Sequence, residues 1–148
     1  MNSKKYVLVE EEAMIRRFWT EKAKHLGLSL SSFGTPEEFL FALEVEKFTG
    51  IELFYLDQDF GDRRAVGSRL ARIIRDRWPD SEIRLITAYP RAFFRDELKS
   101  GLLTDVCGKY PAPFENPEYT LFENAFEKIF WAPFIDVLRG PGAEVGAN

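Results

Sequence analysis

Four groups of side chains here have the chemistry to handle a phosphoryl group, if folding brings them together: Glu10-Glu11-Glu12, Asp57 with Asp59, Thr87, and Lys109. A carboxylate such as Asp57 can attack phosphorus and carry it as an acyl phosphate. Neighbouring carboxylates can hold a divalent cation that offsets the charge on nucleophile and phosphoryl oxygens. A hydroxyl and an ammonium group can then hydrogen-bond the transferred group, because this reaction depends mostly on positioning and electrostatics. Each residue also has an ordinary reading. Glu10 and Glu11 suit the first turn of a helix, whose dipole favours negative charge, and Glu12 suits a solvated face. Asp57 could cap a helix, Asp59 could serve a turn, and Thr87 could simply end a strand. A lysine closing an apolar strand, as Lys109 does, needs some polar partner. Their joint occurrence carries more weight than any one of them.

The elements that must position them alternate strand and helix five times. Tyr6-Val7-Leu8-Val9 is an apolar run of the buried-strand kind. Met14, Ile15, Phe18, Trp19, Ala23 and Leu26 follow at helical spacing, with Gly27 as the stop. Leu28 to Phe33 alternates as a second strand. Thr35-Pro36-Glu37-Glu38 is a helix-start signal, ahead of Phe39, Leu40, Ala42 and Leu43. Ile51 to Leu56 is a third strand running into Asp57. A third helix carries Val66, Leu70, Ile73 and Ile74, and Pro79 closes it after Trp78. Ile83 to Ile86 is a fourth strand, Arg91 to Ser100 a weaker helix, and Asp105 to Lys109 a short fifth strand. Such alternation predicts parallel pairing through right-handed crossovers, with helices on both faces of the sheet. Ligand sites in such folds lie outside the carboxyl ends of the strands. The four groups stand at the ends of strands one, three, four and five.

In that order, Glu10-Glu11, Asp57, Thr87-Ala88 and Lys109 resemble the receiver domain of two-component response regulators, over roughly residues 4 to 130. The resemblance implies an α/β fold: a doubly wound, flavodoxin-like sheet of five parallel strands in the order 2-1-3-4-5. It implies Asp57 as phosphoacceptor, with Thr87 and Lys109 contacting the phosphoryl group. It implies a magnesium site at Glu10, Glu11, Asp57 and the backbone carbonyl of Asp59. The partners implied are a histidine kinase or phosphotransfer protein and a downstream protein target. Three departures stand out. Both members of the acidic pair are Glu, where the family usually has an Asp; magnesium prefers near-ideal octahedral geometry, so the added methylene predicts weak binding. Lys109 is followed by Tyr110, with proline only at Pro111. Val106 stands at the family's aromatic switch position, which leaves Tyr89 or Tyr110 to take that part. The paired glutamates and the shifted proline favour an alternative, a pseudo-receiver acting as a phosphorylation-independent interaction module.

Composition narrows the field further. A chain of 148 residues, 45% apolar and 30% charged, can bury one core and is not expected to be disordered. We read residues 1–138 as the receiver domain and 139–148 as a flexible tail rich in Gly, Ala and Pro. A net charge of -4 gives no general attraction to nucleic acid. No apolar run suits a bilayer and none suits a signal peptide, so the expectation is a cytoplasmic protein away from membranes. A lone Cys107 fits a reducing compartment and a buried apolar role. His25 has no ligand partner at zinc spacing, and neither Gly61 with Gly67 nor Gly108-Lys109 completes a nucleotide-binding loop. A flavodoxin-like enzyme, which shares the topology, therefore lacks its cofactor loop. Phe122, Phe126, Phe130 and Phe134 recur every four residues in the last helical stretch, with Trp131 beside them. That apolar surface looks wide for a helix with one buried side, and it predicts homodimerisation or docking there.

Overall fold

The computed structural model describes residues 5–45 and 48–107. Lys109, Tyr110, the terminal helical stretch and the 139–148 tail lie outside the described residues. The chain alternates β1 (Lys5–Val9), α1 (Ala13–His25), β2 (Ser29–Phe33), α2 (Pro36–Val45), β3 (Leu53–Asp57), α3 (Val66–Arg77) and β4 (Glu82–Ile86). A 3-10 turn (Arg91–Phe94), α4 (Arg95–Lys99) and β5 (Asp105–Cys107) complete the described part. The sheet has five strands, all parallel, in the order β2-β1-β3-β4-β5. This is the doubly wound architecture that the alternation implied.

Strand alternation divides the core in two. Val7, Val9, Phe54, Leu56, Ile83 and Leu85 face α2 and α3, and pack with Phe39, Leu70 and Ile74. Tyr6, Leu8, Leu53 and Tyr55 point to the opposite face, where Ile15, Trp19 and Ala23 of α1 meet them. The rings of Trp19 and Tyr55 meet edge to face, 5.0 Å apart, a favourable arrangement for aromatic quadrupoles. All five residues of β3 are buried, as a central strand covered on both faces requires. β2, at the edge, presents serines outward and offers a partner strand little apolar surface.

Local signals place most boundaries. Gly27 ends α1 at φ +72°, a left-handed conformation that costs glycine no Cβ clash. Glu38 N–H donates to Thr35 Oγ1, while the Glu38 carboxylate accepts from Gly34 N–H; the capping exchange thus reaches one residue further back than the usual box. Several expectations need correction. Glu10 and Glu11 precede α1 and do not occupy its first turn. Met14, Leu26 and Ile73 lie exposed, because the apolar stripes of α1 and α3 run through Ile15-Trp19-Ala23 and Val66-Leu70-Ala71-Ile74 instead. The single helix expected over 91–100 is a 3-10 turn joined to one short α-helical turn, too brief for helical hydrogen bonding to sustain alone.

Candidate functional site

Strand register assembles the rim. Val9 pairs with Leu56 and Asp57 with Ile86, so Glu10, Asp57 and Thr87 stand at neighbouring strand ends. Parallel strands lie about 4.8 Å apart, which brings these three residues to one edge of the sheet. All three are buried: Glu10 fully, Asp57 and Thr87 to 4% exposure. Lys109 falls outside the described residues.

Hydrogen bonds fix the acidic loop between β1 and α1. Glu10 N–H donates to Phe33 O, and Glu10 Oε2 accepts from Glu12 N–H at 2.8 Å. Arg16 donates through one guanidinium nitrogen to both Glu10 O and Glu11 O, each at 2.7 Å. Its guanidinium carbon would lie only 3.0 Å from a Cβ on Gly34, so glycine there leaves room for the clamp. Arg16 was not singled out from sequence. Its signal was a cation close to a helix N-terminus, where the dipole disfavours positive charge unless acceptors compensate. Glu11, exposed, reaches across to the loop after β3, where Oε1 accepts from Gly61 N–H at 3.0 Å. Glu12 is exposed, but it stands at the N-cap of α1 and not within the helix as expected.

The loop after β3 is equally tied. Phe60 and Arg63 exchange backbone hydrogen bonds of 2.9 Å in both directions, closing a tight turn around Gly61 and Asp62. Arg63 holds Glu37 of α2 through two hydrogen bonds, and this guanidinium keeps the Glu37 carboxyl below the usual carboxylate range. The Asp59 side chain accepts from Ala65 N–H at 3.0 Å, so Asp59 serves the start of α3. Ala65 takes φ +58°, a conformation disfavoured for a residue with a Cβ. Buried Gln58 and Ser68 bond each other through Gln58 Nε2 to Ser68 Oγ and Ser68 N–H to Gln58 Oε1. Gly67 lets α3 approach β3: a Cβ there would stand 2.5 Å from Asp57 O and 2.6 Å from Leu85 Cδ1. Pattern reading overlooked the Gln58–Ser68 pair because neither residue type announces burial.

Thr87 accepts from Tyr89 N–H through Oγ1 at 3.1 Å, and its own N–H donates to Cys107 O. A hydroxyl that accepts one bond retains its O–H to donate. Tyr89 accepts from Arg64 at 2.9 Å through its hydroxyl and stacks on Phe93 at 5.5 Å, linking the loops after β3 and β4. Arg91 bonds Asp105. Val106 is buried in the core, and burial pushes the Cys107 thiol up to about 12, leaving it a weak nucleophile at neutral pH.

Oxygen donors are the right kind for magnesium. As arranged, though, Glu10 Oε2 and Glu11 Oε1 accept backbone N–H groups. Among the described residues, no three His, Cys, Asp or Glu side chains converge as a ligand set. The side chains as they stand therefore do not fit the ion, and no step below is routed through it.

With a buried carboxylate at the end of the central strand and five parallel strands in the order 2-1-3-4-5, the fold is that of response-regulator receiver domains. The chain is similar to the response regulator TrrA from Thermotoga maritima, solved in complex with Mg²⁺-BeF, with 24% identity and a TM-score of 0.60. That match covers 78% of this chain and 94% of TrrA. A response regulator from Burkholderia pseudomallei, solved with a phosphorylated aspartic acid, calcium ion and citrate, matches at 19% identity and a TM-score of 0.64, covering 94% of this chain and 76% of that one. The chemotaxis response regulator CheY4 of Vibrio cholerae matches at 15% identity and a TM-score of 0.60, covering 73% of this chain and 88% of CheY4. No protein-family model matches the chain, and no curated protein matches it. No helix among the described residues is long and apolar enough to cross a membrane.

Proposed function

We propose that the chain is a receiver whose Asp57 accepts a phosphoryl group from a histidine kinase or phosphotransfer protein. The observation that carries this reading is Asp57 itself, a carboxylate at 4% exposure closing the central strand between Glu10 and Thr87. An Asp57 oxygen forms the new O–P bond as the P–N bond of a phosphohistidine donor breaks, and the imidazole nitrogen keeps the electron pair. The Thr87 hydroxyl donates to the transferred group, and Lys109 offsets its charge. Engagement of Thr87 competes with its turn to Tyr89, so the local charge biases the segment carrying Tyr89 and Phe93. A downstream protein target reads that surface. The magnesium site expected at Glu10, Glu11, Asp57 and the Asp59 carbonyl has no assembled ligand set among the described residues, and this reading routes no step through it.

The phosphorylation-independent interaction module is the second reading. What favours it is the engagement of Glu11 by Gly61, which leaves no ready cation ligand set among the described residues. Intact-mass measurement after incubation with acetyl phosphate and Mg²⁺ separates the two. An adduct of one phosphoryl group that vanishes in Asp57→Asn supports the receiver. Absence of any adduct, with acetyl phosphate or a kinase donor, leaves the interaction module.

A further inference from the structure

α2 and α3 lie side by side on one face of the sheet and run in the same direction. Arg63, just before α3, holds Glu37 at the start of α2, while Arg77 at the end of α3 donates to Leu43 O, near the end of α2, at 2.9 Å. Their inward side chains share one core. Their outward side chains are opposite in charge. α2 carries Glu37, Glu38 and Glu44, with no Lys or Arg from Pro36 to Val45. α3 exposes Arg69, Arg72 and Arg77 against a single acid, Asp76. Neither Glu44 nor Arg72 makes a side-chain hydrogen bond or ion pair among the described residues. Apolar side chains stand among these charges: Phe41 is 67% exposed and Val45 60% on α2, and Ile73 42% on α3. At helical spacing, Phe41 and Arg72 occupy matching outward crests, opposite the buried pairs Phe39–Leu43 and Leu70–Ile74. Exposed aromatic and arginine side chains gathered on one face are the composition of a protein interface.

We propose that this face binds a second copy of the chain, with α2 of each copy laid on α3 of the other. Charge complementarity selects that occupant: the acidic helix and the basic helix it needs belong to the same surface. A two-fold axis parallel to the helices produces the arrangement and repeats every contact twice. Such an axis preserves level along the helices. The Glu37–Arg63 and Leu43–Arg77 ties hold α2 and α3 in step, so Phe41 comes to Arg69 of the second copy, and Glu44 to its Arg72. Guanidinium over ring adds a cation–π contact to the ion pairs. The footprint is two helices about 18 Å long lying about 10 Å apart, which places the contact among small, transient interfaces. The inference goes beyond the receiver reading and stands whether or not Asp57 accepts a phosphoryl group.

Sedimentation equilibrium of the full chain at low and high NaCl tests this. Wild type should self-associate with a Kd of roughly 10–100 µM at low salt, as suits a small contact. High salt should weaken it about threefold or more by screening the exposed charges. Glu44→Arg and Arg72→Glu each set like charges against one another at both copies of the contact, and each alone should associate roughly tenfold or more weakly. Mixing the two variants in equal amounts restores opposite charges at both contacts, so the mixture should associate within about threefold of wild type. Recovery in the mixture also excludes misfolding as the cause of the single losses. Phe41→Ser should weaken association roughly tenfold through loss of the central aromatic contact. A wild type that remains monomeric overturns the proposal and leaves the face to a partner of other chemistry. Association that neither charge reversal weakens, as a dimer through the terminal helical stretch would give, overturns it too, as does a mixture no tighter than its components.

Discussion

The two sides of the sheet rim are built differently. Around β1 and β3, almost every loop residue is engaged: Arg16 on two carbonyls, Glu11 on Gly61, Asp59 on Ala65, Gln58 on Ser68, and Arg63 on Glu37. Around β4 and β5, the described residues include a more exposed segment. Among the described residues there, α4 buries no residue and Phe93 is 66% exposed. Local stability follows buried contacts and protected hydrogen bonds. The Asp57 side is thus densely tied by side-chain bonds, and the segment from Tyr89 to Lys99 is held by fewer buried side chains. Under the proposed receiver reading, the tied side would hold the chemistry and the more exposed segment would carry the change of surface.

Substitutions at three positions probe the contrast. The largest effect is expected at Gly67→Ala, where the new methyl meets backbone and core atoms at 2.5–2.9 Å. Overpacking there should cost about 2–3 kcal/mol in urea unfolding; a tolerated alanine would mean the Asp57 side yields more readily than its packing implies. Ser68→Ala removes the acceptor of Gln58 Nε2 in a buried setting. A loss of about 1–2 kcal/mol by the same measurement is expected, since an unsatisfied buried donor bears its full desolvation penalty. Phe93→Ser on the opposite side should shift stability by no more than about 0.5 kcal/mol. A larger loss would show that the Tyr89–Phe93 stack anchors its segment, and the two sides would then be alike.

Much of this was legible in advance. Five apolar runs separated by helical periodicities gave the parallel sheet, because a strand buried on both faces must be apolar throughout and a parallel crossover needs a helix. The placement of Asp57 followed from the same rule, as did Thr87. Helix faces were less legible where apolar residues were plentiful: Ile73 and Ile74 look alike in sequence, and only packing against the sheet chose Ile74. The segment 91–100 misled for a related reason. Its residues tolerate helix, but with only Phe94 buried there, nothing extends the short turns into one helix.

The sequence by itself determined the architecture and the cast of polar residues at the strand ends, since periodicity and chain order are local properties. Only tertiary structure decided what Glu11 and Arg16 do. A glutamate reaching Gly61, fifty positions along the chain, depends on two loops that sheet register alone makes neighbours. The destination of a long, flexible side chain is set by the acceptors and donors that folding brings within its reach, and no spacing in the sequence encodes that.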